Sequence, residues 1–90
     1  MNFTSVGFFS NNTDKEITIY LEMHCEEIRV SPDQSFELLI EDIHDALPVT
    51  INYVESGLQI YPHRATPDWL IIFNGQRIKP SYPTILKNYE

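Results

Sequence analysis

Residues Ile17 to Cys25 alternate with period two: Ile17, Ile19, Leu21, Met23 and Cys25 fall on one side, Thr18, Tyr20, Glu22 and His24 on the other. A strand turns successive side chains to opposite faces, whereas a helix would scatter this pattern around its cylinder, so the stretch is predicted to be a half-buried strand. The same period returns along the chain. Thr4, Val6 and Phe8 alternate with Phe3, Ser5, Gly7 and Phe9; Phe36, Leu38 and Ile40 alternate with Glu37, Leu39 and Glu41; Val49, Ile51 and Tyr53 alternate with Thr50, Asn52 and Val54. Leu58 and Ile60 repeat the pattern against Gln59 and Tyr61, and Trp69 to Phe73 is apolar almost throughout, as a central strand covered on both sides would be.

Turn chemistry punctuates these runs. Ser10 to Lys15 is rich in Asn and Asp, Ser31-Pro32-Asp33-Gln34 carries proline at the second turn position, and Glu55-Ser56-Gly57 and Asn74-Gly75 read as hairpin connections. Glu26 and Glu27 break the alternation, which Ile28 and Val30 resume after a shift of one residue, so a bulge or tight corner is expected there. Asp42 to Leu47 is too short for a packed helix and reads as a loop or a single turn, and Pro62 to Asp68 as a loop. Gln76 to Lys79 returns from Asn74-Gly75, after which Pro80 to Glu90 is expected to be a C-terminal tail, with Tyr82, Ile85, Leu86 and Tyr89 able to pack along an edge.

Short strands at this spacing with no helical period predict an all-β fold, an antiparallel β-sandwich of seven or eight short strands in one domain spanning 1–90, with a small β-barrel as the alternative. The expected core is Ile17, Ile19, Leu21, Met23, Phe36, Leu38, Ile40, Ile51, Ile71 and Phe73. The immunoglobulin pattern, two cysteines flanking a tryptophan, is absent because Cys25 is the sole cysteine. The run from Asn12 to Glu22, followed by Glu26-Glu27-Ile28 and Ser31-Pro32-Asp33, resembles the opening of small uncharacterised bacterial all-β proteins. The resemblance covers roughly a quarter of the chain; it implies a β fold and carries no activity with it.

Composition adds the compartment and the sign of the surface. Ninety residues support one core, and a single cysteine excludes an internal disulfide, which fits a reducing compartment. Met1 to Phe9 has no positive side chain of the kind that opens an export signal, so a cytoplasmic location is expected. The net charge is −7 and unevenly spread: residues 1–60 hold eleven carboxylates against Lys15 and Arg29, a balance of −9. Residues 61–90 hold Asp68 and Glu90 against Arg64, Arg77, Lys79 and Lys87, a balance of +2. A field of that sign repels nucleic acid and anionic membrane and attracts basic proteins.

No stretch carries a catalytic, metal or nucleotide signature. His24 beside Glu22, and His44 between Asp42 and Asp45, have the residue types of a metal site without a spacing that fixes its geometry, and His63 stands in a loop with no partner nearby in sequence. The cupredoxin ligand pattern fails, because Met23 and Cys25 point opposite to His24 on one strand. Cys25 continues the apolar face, where a thiol is inert. The pairs Glu26-Glu27 and Glu41-Asp42 have the composition of an acid and base pair, but paired acids arise readily in so acidic a chain. Neither an enzyme nor a cofactor nor a metal is expected.

The reading that remains is a non-enzymatic acidic domain that binds a basic protein partner. Its biological form would be an immunity protein that neutralises a basic nuclease toxin, since a protein that binds phosphate must present positive charge. The expected contact residues are Glu22, Glu26, Glu27, Glu37, Glu41, Asp42 and Asp45, which would form one surface if their strands share a sheet. The alternative is a carbohydrate-binding or accessory sandwich module using Trp69 and the tyrosines as a stacking platform.

Overall fold

The computed structural model describes residues 2–22 and 24–90. Among the described residues nine strands form: β1 (Phe3–Ser10), β2 (Ile17–Leu21), β3 (Glu26–Val30), β4 (Ser35–Glu41), β5 (Thr50–Val54), β6 (Gly57–Tyr61), β7 (Trp69–Phe73), β8 (Gln76–Ile78) and β9 (Thr84–Ile85). A short 3-10 helix, Leu86–Tyr89, follows them. Strands β1-β4-β7-β8 make one sheet and β5-β6-β2-β3-β9 the other. Each sheet has one apolar face, and the two cover one another around a single cluster drawn from both: Ile19, Leu21, Ile28, Val30 and Ile60 from the five-stranded sheet, Phe36, Leu38, Ile40, Trp69, Ile71 and Phe73 from the other. This is the expected sandwich.

The pairing is not wholly antiparallel. β2 runs parallel to β6, with Ile19 beside Leu58, and β3 runs parallel to β9, with Ile28 beside Thr84. The first of these pairings requires a close approach at Gly57, whose φ is 154° and where an added Cβ would overlap the Thr18 carbonyl oxygen. Residues 80–90 do pack along an edge, and more firmly than a tail: β9 extends the sheet, and Leu86 is completely buried in the core.

One described residue of the organising stretch, Cys25, departs from the expectation, and the reason is local. β2 stops at Leu21, and Leu21 pairs across to Glu26, so the chain reverses before the alternation is used up. Cys25 has a positive φ of 56° and is exposed, which corrects its placement on the dry face. Met23, also assigned to that face, lies outside the described residues. Glu26 and Glu27 consequently belong to β3 itself rather than to a corner. A register shift does occur, but between Ser5 and Gly7 in β1.

Ile51 is a further correction. Its pairing with Ile60 puts it on the core side as the alternation requires, yet it is 42% exposed. β5 is the outermost strand of the five, and its whole length is exposed, so nothing covers the side it turns inward. Correct periodicity and correct burial part company at a strand that overhangs the sandwich.

At the opposite end from the β2–β3 reversal, Asn11 ties several turns together. Its buried side-chain amide donates to the Lys15 and Val30 carbonyl oxygens at 2.7 and 2.9 Å, and its Oδ1 accepts from the backbone N–H and hydroxyl of Thr13 at 3.0 and 2.7 Å. Its backbone pairs with Gln34 and Asp33 in the β3–β4 turn. An Asn in a turn was foreseen; that it is buried and saturates its bonds was not.

Candidate acidic site at one end of the sandwich

Alternation settles where each acidic side chain goes. Phe36, Leu38 and Ile40 point inward from β4, so Glu37 stands on the outer face of the four-stranded sheet. Ile28 and Val30 point inward from β3, so Glu27 stands on the outer face of the five-stranded sheet and Glu26 faces the core. Glu27 and Glu37 therefore lie on opposite sides of the molecule, and the shared sheet that one continuous surface needed does not exist.

What the fold does bring together is a cluster at one end. The β2–β3 reversal reaches the loop before β7 through His24, whose Nε2 lies 2.9 Å from the Pro67 carbonyl oxygen. Glu41, the last residue of β4, meets the same loop: its backbone N–H donates to the Asp68 carbonyl, and its Oε1 accepts from the Asp68 N–H at 3.0 Å. The loop after β4 joins through backbone bonds from His63 to Ala46 and from Arg64 to Asp45. Glu22 joins through its own N–H to the Ile60 carbonyl and through its carboxylate, which accepts from Gln59 Nε2 at 3.3 Å.

Five of the seven expected residues thus belong to this end: Glu22, Glu26, Glu41, Asp42 and Asp45. Asp68 completes the group, and sequence reading missed it because it sits in the basic C-terminal third, forty residues from β3. Lys79 is close enough to Glu26 for its charge to act there, and the Arg64 backbone N–H donates to the Asp45 carbonyl. Among the described residues one ion pair forms, His44 Nε2 to Asp45 Oδ2 at 3.5 Å, and both partners are solvated enough for it to contribute little. Asp14, Glu16, Asp33 and Glu55 occupy connections at the opposite end, so the acidity is not confined to one pole.

Glu26 is the chemically distinctive member. Burial pushes its pKa above the ordinary 4.5; His24 and Lys79 oppose the rise, and Asp68 adds to it. Its Oε1 is buried without a hydrogen-bond partner, as is Trp69 Nε1 on the facing sheet. On the outer face, the Tyr82 hydroxyl donates to Glu27, and that bond holds the phenol above its ordinary value of 10.0. No group of three or more His, Cys, Asp or Glu among the described residues has the arrangement of a metal site. His44 and His63 are exposed in loops, and His24 is engaged with a backbone carbonyl.

The aromatic platform loses its principal member. Trp69 is 2% exposed and packs in the core. Tyr53 and Tyr82, the most exposed tyrosines, lie on β5 and beside β3, on different parts of the five-stranded sheet separated by β6 and β2. They do not form one stacking surface. No helix among the described residues is long and apolar enough to cross a membrane. Comparison of the chain with family models, with curated proteins and with solved structures finds no match.

Proposed function

We propose that the protein is a non-enzymatic binding domain whose acidic end, formed by Glu22, Glu41, Asp42, Asp45 and Asp68, covers a basic surface of a protein partner. The observation that supports this reading is the convergence of three connections on that end, each bringing carboxylates that make no ion pair with Lys or Arg among the described residues. Unpaired carboxylates on a rigid scaffold present their charge to solvent, and such a field accelerates encounter with an oppositely charged protein. An immunity protein covering a basic nuclease toxin is the biological form that fits this chemistry. Glu27 and Glu37 stand outside the proposed contact on the outer faces, and Glu26 stands outside it because it faces the core.

The test compares charge reversals at matched net charge. Glu22→Lys with Asp42→Lys alters the acidic end, while Glu37→Lys with Asp14→Lys alters the outer face and the opposite end. Affinity capture at low and moderate salt should recover a basic protein with the wild type and with the second variant, and lose it with the first. Equal capture by all three would mean that these charges play no part, equal loss in both variants would mean that net charge alone acts, and either result would end the proposed site.

A further inference from the structure

The free edges of the two sheets are not alike. β1 carries a register shift, β8 has three residues including Arg77 and is followed by Lys79, and β9 has two residues and runs into the 3-10 helix. Each is a recognised way of blocking further strand addition. β5 has none of them: five residues, no charge, no proline, and an unbroken register with β6. Strands β2, β5 and β6 together contain no charged residue, although 21% of the chain is charged. Moreover, β5 leaves the apolar side chains on its core side uncovered, with Ile51 at 42% and Tyr53 at 88% exposure.

We infer that β5 pairs antiparallel with β5 of a second copy of this chain, joining two five-stranded sheets edge to edge. The sequence of the strand selects that occupant. A two-fold axis at Asn52 sets Ile51 opposite Tyr53 of the second copy and Thr50 opposite Val54 of the second copy. Period two keeps every such pair on one face. Both pairs join β-branched residues to aromatic or β-branched ones, the combinations that stabilise cross-strand contacts. The Ile51 and Tyr53 pairs stand on the uncovered core side, where each copy supplies what the other lacks. A seam of five residues is small for an interface, so the dimer is weak and reversible. Because each copy carries −7 while the seam carries no charge, salt strengthens it by screening repulsion. Salt weakens the contact with a basic partner, so the two proposals fail separately.

Sedimentation of the wild type up to millimolar concentration should show a reversible dimer that tightens with salt. Amide exchange across residues 50–54 should slow as concentration rises. The variants Ile51→Lys/Tyr53→Lys and Ile51→Glu/Tyr53→Glu each place like charges opposite one another and should be monomeric with unchanged Trp69 emission. Mixed together, they should form a heterodimer. A wild type that remains monomeric, an all-lysine variant that dimerises as the wild type does, exchange independent of concentration, or a mixture that stays monomeric would each overturn the inference.

Discussion

Replacing Asn11 by alanine tests whether one buried amide holds the turns at its end of the sandwich. The bonds to Thr13 end on exposed groups that water can serve instead, so their loss is cheap. The bond from Asn11 Nδ2 to the Val30 carbonyl is different, because both residues are buried and no water replaces the amide there. An unsatisfied buried acceptor costs about 1–3 kcal/mol, and the other lost bonds add about 1 kcal/mol between them, giving roughly 2–4 kcal/mol in all. A domain of this length has about 5–13 kcal/mol of stability, so the change is large but leaves a folded population to measure. Urea unfolding followed by Trp69 fluorescence suits the purpose, since the indole moves from a buried site into water. With a slope of about 1 kcal/mol per molar urea, the midpoint should fall by roughly 2–4 M. Asn11→Asp should be at least as harmful at neutral pH, because it turns a carboxylate oxygen toward two carbonyls. Thr13→Val, which leaves both amide-donated bonds in place, should cost less than about 1 kcal/mol. A midpoint shift below about 0.5 M for Asn11→Ala would refute the reasoning.

Other expected outcomes are as follows. Leu21→Ala removes a fully buried side chain and should cost about 2–5 kcal/mol in the same assay; less than about 1 kcal/mol would place Leu21 at the periphery. Gly57→Ala forces a side chain against the Thr18 carbonyl and should destabilise by about 3 kcal/mol or more, and an unaltered melting temperature would contradict the close approach of β2 and β6. Glu26 has a raised pKa when folded, so the native state binds more protons than the unfolded one between the two pKa values. Stability therefore falls as pH rises from 4.5 through the folded value. Glu26→Gln should melt higher than the wild type at pH 7 and lose that advantage below 4.5, and thermal melts showing a constant difference across this range would exclude burial as the cause.

Much of the fold was legible because period two is a strict code. Ile19, Leu21, Phe36, Leu38, Ile40, Ile71 and Phe73 were assigned to the core and are buried there. The code says which side of a strand a residue occupies, but not where the strand stops or whether anything lies opposite. Cys25 failed on the first count, because β2 ends before it, and Ile51 on the second, because β5 overhangs. The parallel pairing of β2 with β6 and of β3 with β9 was hidden for a related reason: alternation is indifferent to strand direction. The acidic residues were found by type but not by neighbourhood. Glu37 and Glu41, four apart on one strand face, end in different surroundings, and Asp68 reaches the cluster only through the pairing of β7 with β4.

The parallel contact between β3 and β9 also bears on the order in which the protein assembles. Ile28 is paired with Thr84, fifty-six positions later in the chain, and Leu86 beyond it plugs the core. Closing so long a loop costs entropy before any contact repays it, so this pairing belongs late in folding. As the chain emerges during synthesis, β2 and β3 can form their hairpin early, but the flank of β3 and the hollow that Leu86 fills stay open until the final strand arrives. Until β9 and Leu86 dock, an unpaired strand edge and the apolar surface that Leu86 covers face solvent together, so the docking of residues 84–86 closes both at once.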